Sequence, residues 1–144
     1  MGNKRKKRVI NSTTVGIVLL LIMGAISGCS VEKANRTKVR DLDYQIVAPE
    51  EIPKELLSQI EEKKAADFKM TYETPEQLYI VRGYGEQETG GYSIQVKELY
   101  LSNNAVFFQT ELIGPRKGEM ITKSPSYPYI VIVTEKVDKN LVFE

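Results

Sequence analysis

The sequence predicts an α+β domain, a strand-rich antiparallel sheet with one helix packed on one face. Apolar and polar residues alternate over residues 68–72 and 92–97, which is the period of half-buried strands. One segment, residues 52–60, instead has its apolar residues at helical spacing. Residues 129–133 (YIVIV) are apolar on both faces, which is typical of a central strand that is covered on both sides. Together these patterns favour a sheet that buries one face against a helix.

The predicted helix covers residues 53–65. Pro53 suits a first helical turn, and Lys63 and Lys64 suit the negative carboxyl end of the helix dipole. Residues 44–47 predict a short strand before the helix, and residues 68–72 and 78–81 predict two strands after it.

A hairpin is predicted over residues 92–113. Its turn is expected at Asn103 and Asn104, since asparagine tolerates the positive φ of a tight turn. The apolar phase slips near Lys97 and Glu98, which indicates a bulge. Residues 140–143 predict a last edge strand.

The amino-terminal segment has the pattern of a secretory signal. Residues 4–8 are all basic, and residues 15–26 contain no charge. This apolar run is short for a membrane span, which needs about 20 residues. The following Ile26-Ser27-Gly28-Cys29 resembles the bacterial lipobox, in which the cysteine sulfur receives a diacylglyceryl group and the peptide is cut before it. An uncleaved anchor, or simple secretion with a chance thiol, are the alternatives.

Three regions follow from this interpretation. Residues 1–28 are predicted to be a lipoprotein signal peptide, residues 29–42 a flexible lipid-anchored tether, and residues 43–144 the folded domain. Two acyl chains on Cys29 would hold the protein on a bilayer. The expected location is therefore the extracytoplasmic face of the cell membrane.

Composition excludes several classes of function. The chain contains no histidine, and Cys29 is its single cysteine. Ser-His-Asp and Cys-His catalysis and histidine-ligated metal sites are excluded, so we expect no enzyme, catalytic residue, metal or cofactor. Removing residues 1–28 removes five basic residues and no acidic one, which lowers the formal charge from +1 to −4. A mildly acidic domain is not expected to bind nucleic acid.

A family resemblance covers residues 78–136. The segments that form it are YIVRGYGEQ (79–87), TGGYSI (89–94), GP (114–115), KGEM (117–120) and SYPY (126–129). In this order they resemble the C-terminal domain of the PrcB protease-complex subunits. The resemblance implies a non-catalytic envelope lipoprotein that helps a secreted protease complex to assemble or to remain stable.

Two motif clusters are the candidate contact site. The paired glycines are expected to make a turn, and the tyrosines beside Pro128 either belong to the core or form a contact patch, because tyrosine is enriched at interfaces. The residues predicted to contact a partner are Tyr84, Gly90, Gly91, Tyr92, Tyr127, Pro128 and Tyr129.

Two classes of function remain open at this point. The first is a lipid-anchored interaction protein with an extracytoplasmic protein partner, such as a protease. The alternative is a small cell-envelope binding module for a wall glycan, a peptide or a hydrophobic ligand. A protein partner predicts an exposed aromatic patch or an open strand edge, whereas a small ligand predicts a concave pocket with convergent polar groups.

Overall fold

A computed structural model describes residues 33–144 of the chain. This part contains eight strands, one α-helix and a 3₁₀ turn at Pro49–Glu51. The helix, α1, is Lys54–Lys63. The strands are β1 (Lys38–Asp41), β2 (Tyr44–Ile46), β3 (Asp67–Glu73), β4 (Gln77–Tyr84), β5 (Ser93–Ser102), β6 (Ala105–Ile113), β7 (Tyr129–Glu135) and β8 (Asn140–Phe143).

The strands form two sheets of four. One has the order β1-β5-β6-β8 and the other β2-β7-β4-β3. The α+β class is therefore confirmed, but the expectation of one antiparallel sheet is wrong in two respects. The β5–β6 hairpin forms its own sheet, and β8 runs parallel to β6. Both sheets have an apolar face, and stacking two such faces buries them better than joining the strands edge to edge would.

The main core lies between the two sheets. Ile80 of β4 and Ile132 of β7 are fully buried there, together with Val106 and Phe108 of β6. Burying each of these side chains contributes about 1.5–3 kcal/mol. Alternate residues of β4 and of β6 thus point into one shared interior.

A second buried cluster covers the other face of β4 and β7. Val81 and Val131 alternate with the residues of the first core, and they group with Leu56 and Ile60 of α1. The central, doubly covered position predicted for residues 129–133 is confirmed. The helix begins after Pro53, whose carbonyl accepts a 2.9 Å hydrogen bond from the Leu57 N–H.

The predicted hairpin is confirmed, and its register is irregular between Val96 and Glu98, where the phase slip indicates a bulge. The expected positive φ at the asparagine turn is wrong, because within residues 33–144 only glycines have positive φ. Ser102 supports the turn instead. Its hydroxyl accepts from the Ala105 N–H at 3.1 Å and lies 3.2 Å from the Ala105 carbonyl.

The segment expected to be a tether needs correction at its carboxyl end. Residues 38–41 form β1 on the edge of the hairpin sheet, and Leu42 is buried in the main core. Ala34 also packs on this sheet, against Tyr100 and Phe107. All four residues of β1 are exposed, so no apolar alternation predicted a strand. Cys29 and the predicted signal peptide lie outside the described residues.

Candidate functional site

The two motif clusters lie side by side at one end of the β2-β7-β4-β3 sheet. Gln87 and Ser126 form a bridge in which each N–H donates to the other's carbonyl, at 2.8 and 3.0 Å. The Ser126 hydroxyl donates to the Thr89 carbonyl at 2.7 Å. The Gly90 N–H donates to the Thr122 carbonyl at 2.9 Å. The loop at residues 85–91 is therefore fixed along the segment 122–128.

Gly91 cannot be replaced without strain. Its φ is +85°, and a Cβ added there would lie 2.8 Å from Ile121 Cγ2 and 2.9 Å from Pro115 Cβ. Glycine meets both demands, since it has no Cβ and adopts positive φ freely. The predicted turn role of this residue is confirmed. The half-buried Tyr92 that follows lies beside Gly114, so this corner also packs the loop at residues 114–122 onto the domain.

Tyr127 is 36% exposed and has two polar neighbours. Its hydroxyl donates to Glu86 Oε1 at 3.2 Å, and the Lys64 ammonium lies 5.5 Å from the ring centroid. The hydrogen bond to Glu86, followed by the negative charge of that carboxylate, raises the pKa of Tyr127, while Lys64 opposes the shift. Glu61, 2.5 Å from Lys64, raises the pKa of the lysine chiefly through their hydrogen bond. The ring is held in place by these groups yet remains accessible.

Tyr84 lies in a different environment, because its hydroxyl is 2.6 Å from Thr110 Oγ1 on the other sheet. The Arg82 guanidinium is 4.0 Å from the Tyr84 ring centroid, and its side chain is only 11% exposed. Arg82 donates to Asp67 at 2.9 Å, to the Phe68 carbonyl at 3.2 Å and to the carbonyl of the following glycine. Tyr84 therefore joins the two sheets.

A groove of about 390 Å³ runs along the amino-terminal half of β7. We call it the β7 groove. Three of the predicted contact residues line it, and sequence analysis missed the apolar residues that complete it. The lining includes Tyr127, Pro128, Tyr129, Ile46, Val47 and Ile52.

The seven predicted contact residues do not form one surface. Gly91 lines a separate hollow of about 620 Å³ beside the exposed Arg116 and Lys117. Of the groove residues that sequence analysis missed, Ile46 had a usable signal, because it is an isoleucine in a strand predicted to be very short. In the structure its side chain is 64% exposed. Ile52 lines the groove because the 3₁₀ turn at Pro49–Glu51 places it there, and no sequence pattern indicated that turn.

The lining of the β7 groove suits contact with a partner. Its lining offers apolar side chains, two tyrosine rings and strand backbone. Over residues 33–144, no cluster of three or more histidine, cysteine, aspartate or glutamate side chains could hold a metal ion. In the same range, no helix has the length and apolar character needed to cross a bilayer.

Comparison with protein-family models finds a match in the second half of the chain. A family model described as PrcB C-terminal matches residues 78–135, which confirms the resemblance seen in the sequence. The matched range extends from β4 to the end of β7 and contains all seven predicted contact residues. No curated protein and no solved structure matches the chain.

Proposed function

We propose that the chain is an accessory subunit that stabilises a secreted protease complex, because the family model described as PrcB C-terminal matches residues 78–135. In this proposal the subunit is non-catalytic, is anchored by lipid on Cys29, and works on the extracytoplasmic face of the cell membrane. The family match carries the proposal, since its range contains both motif clusters and the tyrosines of the β7 groove.

The residue inventory supports a non-catalytic role. With no histidine in the sequence, the chain has no side chain whose ordinary pKa suits proton transfer near neutral pH. Its one cysteine is the proposed lipid site. Binding as an accessory subunit requires neither a histidine nor a free cysteine, whereas most hydrolytic mechanisms need at least one of them.

The position of Cys29 supports membrane attachment. It follows an uncharged run and basic residues in the order of a lipoprotein signal. Ala34 is already packed against the hairpin sheet, so only four residues lie between the cysteine and the folded domain. The five Cα–Cα steps from Cys29 to Ala34 span at most about 18 Å, which would keep the domain and its partner close to the bilayer.

The form of the β7 groove supports a protein partner over a small ligand. Tyr127 is exposed at a strand end, and the groove lining is mainly apolar. Aromatic side chains of this kind are enriched at protein interfaces. A small-molecule site would instead be expected to bring several polar groups together in a concave cavity.

The proposal is tested by recovering the tagged chain from detergent-solubilised membranes and measuring proteolytic activity in the eluate. We expect a protease to co-purify with the wild-type chain. Truncating an interface tyrosine commonly costs more than about 1 kcal/mol, so Tyr127→Ala should recover about fivefold less protease. Tyr92→Ala is compared in parallel, and circular dichroism and melting establish that each variant is folded. A wild-type eluate without any protease contradicts the proposal.

A further inference from the structure

We propose that the edge at residues 127–129, where the chain enters β7, accepts an extended segment of the partner protein as an added strand. The segment would have apolar side chains on one face and a lysine or arginine beside them. This inference depends on the proposed function only in requiring a protein partner. It adds where the partner docks and what chemistry the docking segment has.

The backbone groups of the segment that leads into β7 alternate between two edges. The Tyr84 N–H donates to the Pro128 carbonyl at 3.0 Å, and Ser126 pairs with Gln87, so these residues of the segment face β4 and its extension. Successive residues of a strand point their N–H and C=O groups to opposite edges. Tyr127 and Tyr129 therefore direct theirs to the other edge.

That other edge is only partly occupied. The Val131 carbonyl accepts from the Val47 N–H at 2.9 Å, but β2 ends at Ile46 and the chain turns away into the 3₁₀ turn at Pro49. Within residues 33–144, no backbone hydrogen bond from this side reaches Tyr127 or Tyr129. The edge thus offers the N–H and C=O groups of two residues to an incoming strand.

The usual protection of a sheet edge is missing here. Natural edge strands carry charges or prolines that prevent pairing with another chain. The opposite edge of the same sheet, β3, carries Asp67, Lys69 and Glu73, whereas residues 127–131 carry no charge. Pro128 does not block the edge, because its backbone nitrogen and carbonyl face β4 and not the open edge.

The side-chain surroundings define the guest. Ile46 and Ile52 line the β7 groove and can receive alternate apolar side chains of a strand. Exposed Glu50 and Glu51 lie between two groove-lining residues, and Glu86 is bonded to Tyr127. The nearby Lys64 is paired with Glu61. This excess of carboxylates favours a basic residue beside the apolar positions.

The test uses the full chain in detergent micelles and a fluorescein-labelled peptide, Lys-Val-Thr-Val-Thr-Val-Lys. A second peptide, with proline at the central valine, cannot form the strand. Two matched variants place a lysine on an exposed aliphatic residue of a short strand: Ile46→Lys in the groove, where the residue is 64% exposed, and Val39→Lys on β1, where it is 57% exposed. Fluorescence anisotropy gives the affinity, and amide hydrogen exchange locates the peptide.

We expect the valine peptide to bind the wild-type chain and Val39→Lys equally, and to slow exchange at Tyr127 and Tyr129. Ile46→Lys and the proline peptide should each weaken binding about tenfold or more. Absence of saturable binding, or equal binding by Ile46→Lys, overturns the inference. So does sedimentation showing a dimer of this chain that Ile46→Lys abolishes, since a second copy would then occupy the edge. The recovery of protease with the wild-type chain is a separate measurement, so failure here is distinguishable from failure of the proposed function.

Discussion

Replacing Gly91 with alanine should destabilise the domain through two separate costs. Its φ of +85° is a conformation that costs an L-residue about 1–2 kcal/mol. The added Cβ would lie 2.8 Å from Ile121 Cγ2 and 2.9 Å from Pro115 Cβ, and such overpacking costs about 1–3 kcal/mol. We therefore expect the free energy of unfolding to fall by about 2–5 kcal/mol.

Gly118→Ala is the matched control for this substitution. Gly118 has nearly the same φ, +84°, but a Cβ there would meet nothing within 4 Å. Its alanine variant should lose only the conformational part, about 1–2 kcal/mol. Guanidinium denaturation of the full chain in detergent, followed by circular dichroism, measures both losses. If the two variants lose equal stability, the close packing of the corner on Pro115 and Ile121 does not explain the glycine.

Three further predictions concern other positions. Arg82→Met should lower the free energy of unfolding by about 2–4 kcal/mol, because removing the buried guanidinium leaves the Phe68 and Gly83 carbonyls without their donor. Asp67→Asn should lower it by about 1 kcal/mol or less in the same denaturation assay, because Asp67 is exposed. Equal losses in the two variants would contradict this. The pKa of Tyr127 lies above the usual 10.0, so its hydrogen bond stabilises the fold below pH 10 and is lost as pH rises through the raised pKa. Ultraviolet titration should show one tyrosine ionising at lower pH in Glu86→Ala, and an unchanged titration would be the contrary result. Cys29→Ser should abolish labelling by an alkynyl fatty acid, because a hydroxyl is a far weaker nucleophile than a thiolate, and equal labelling would exclude lipid attachment at Cys29.

Much of the domain could be predicted because neighbouring residues in the sequence determine its strands and their buried faces. The YIVIV run indicated a strand covered on both faces, and the structure places Ile130 and Ile132 in one core and Val131 in the other. The phase slip near Lys97 and Glu98 indicated the bulge of the hairpin. In each case a few adjacent residues determine which face is buried.

The remaining features depend on partners distant in sequence. β1 is polar and exposed, and it is a strand because β5 offers it an edge. Tyr84 was expected at a contact surface, yet Thr110 of the other sheet accepts or donates its hydrogen bond. The β7 groove combines Ile46 and Ile52 with residues about eighty positions later in the chain. No local pattern contains these pairings.

Photo-crosslinking in the native cell tests directly whether the chain docks a protease complex at the β7 groove. Benzoylphenylalanine is introduced at Tyr127 in the full chain, and at Val39 in a control, and the cross-linked products are identified by mass spectrometry. If the chain is a protease-complex subunit that docks its partner at the β7 groove, position 127 should cross-link to a protease or to another subunit of its complex, and position 39 should not. Cross-links from position 127 that reach only proteins unrelated to any protease, or the same products from both positions, would contradict the account.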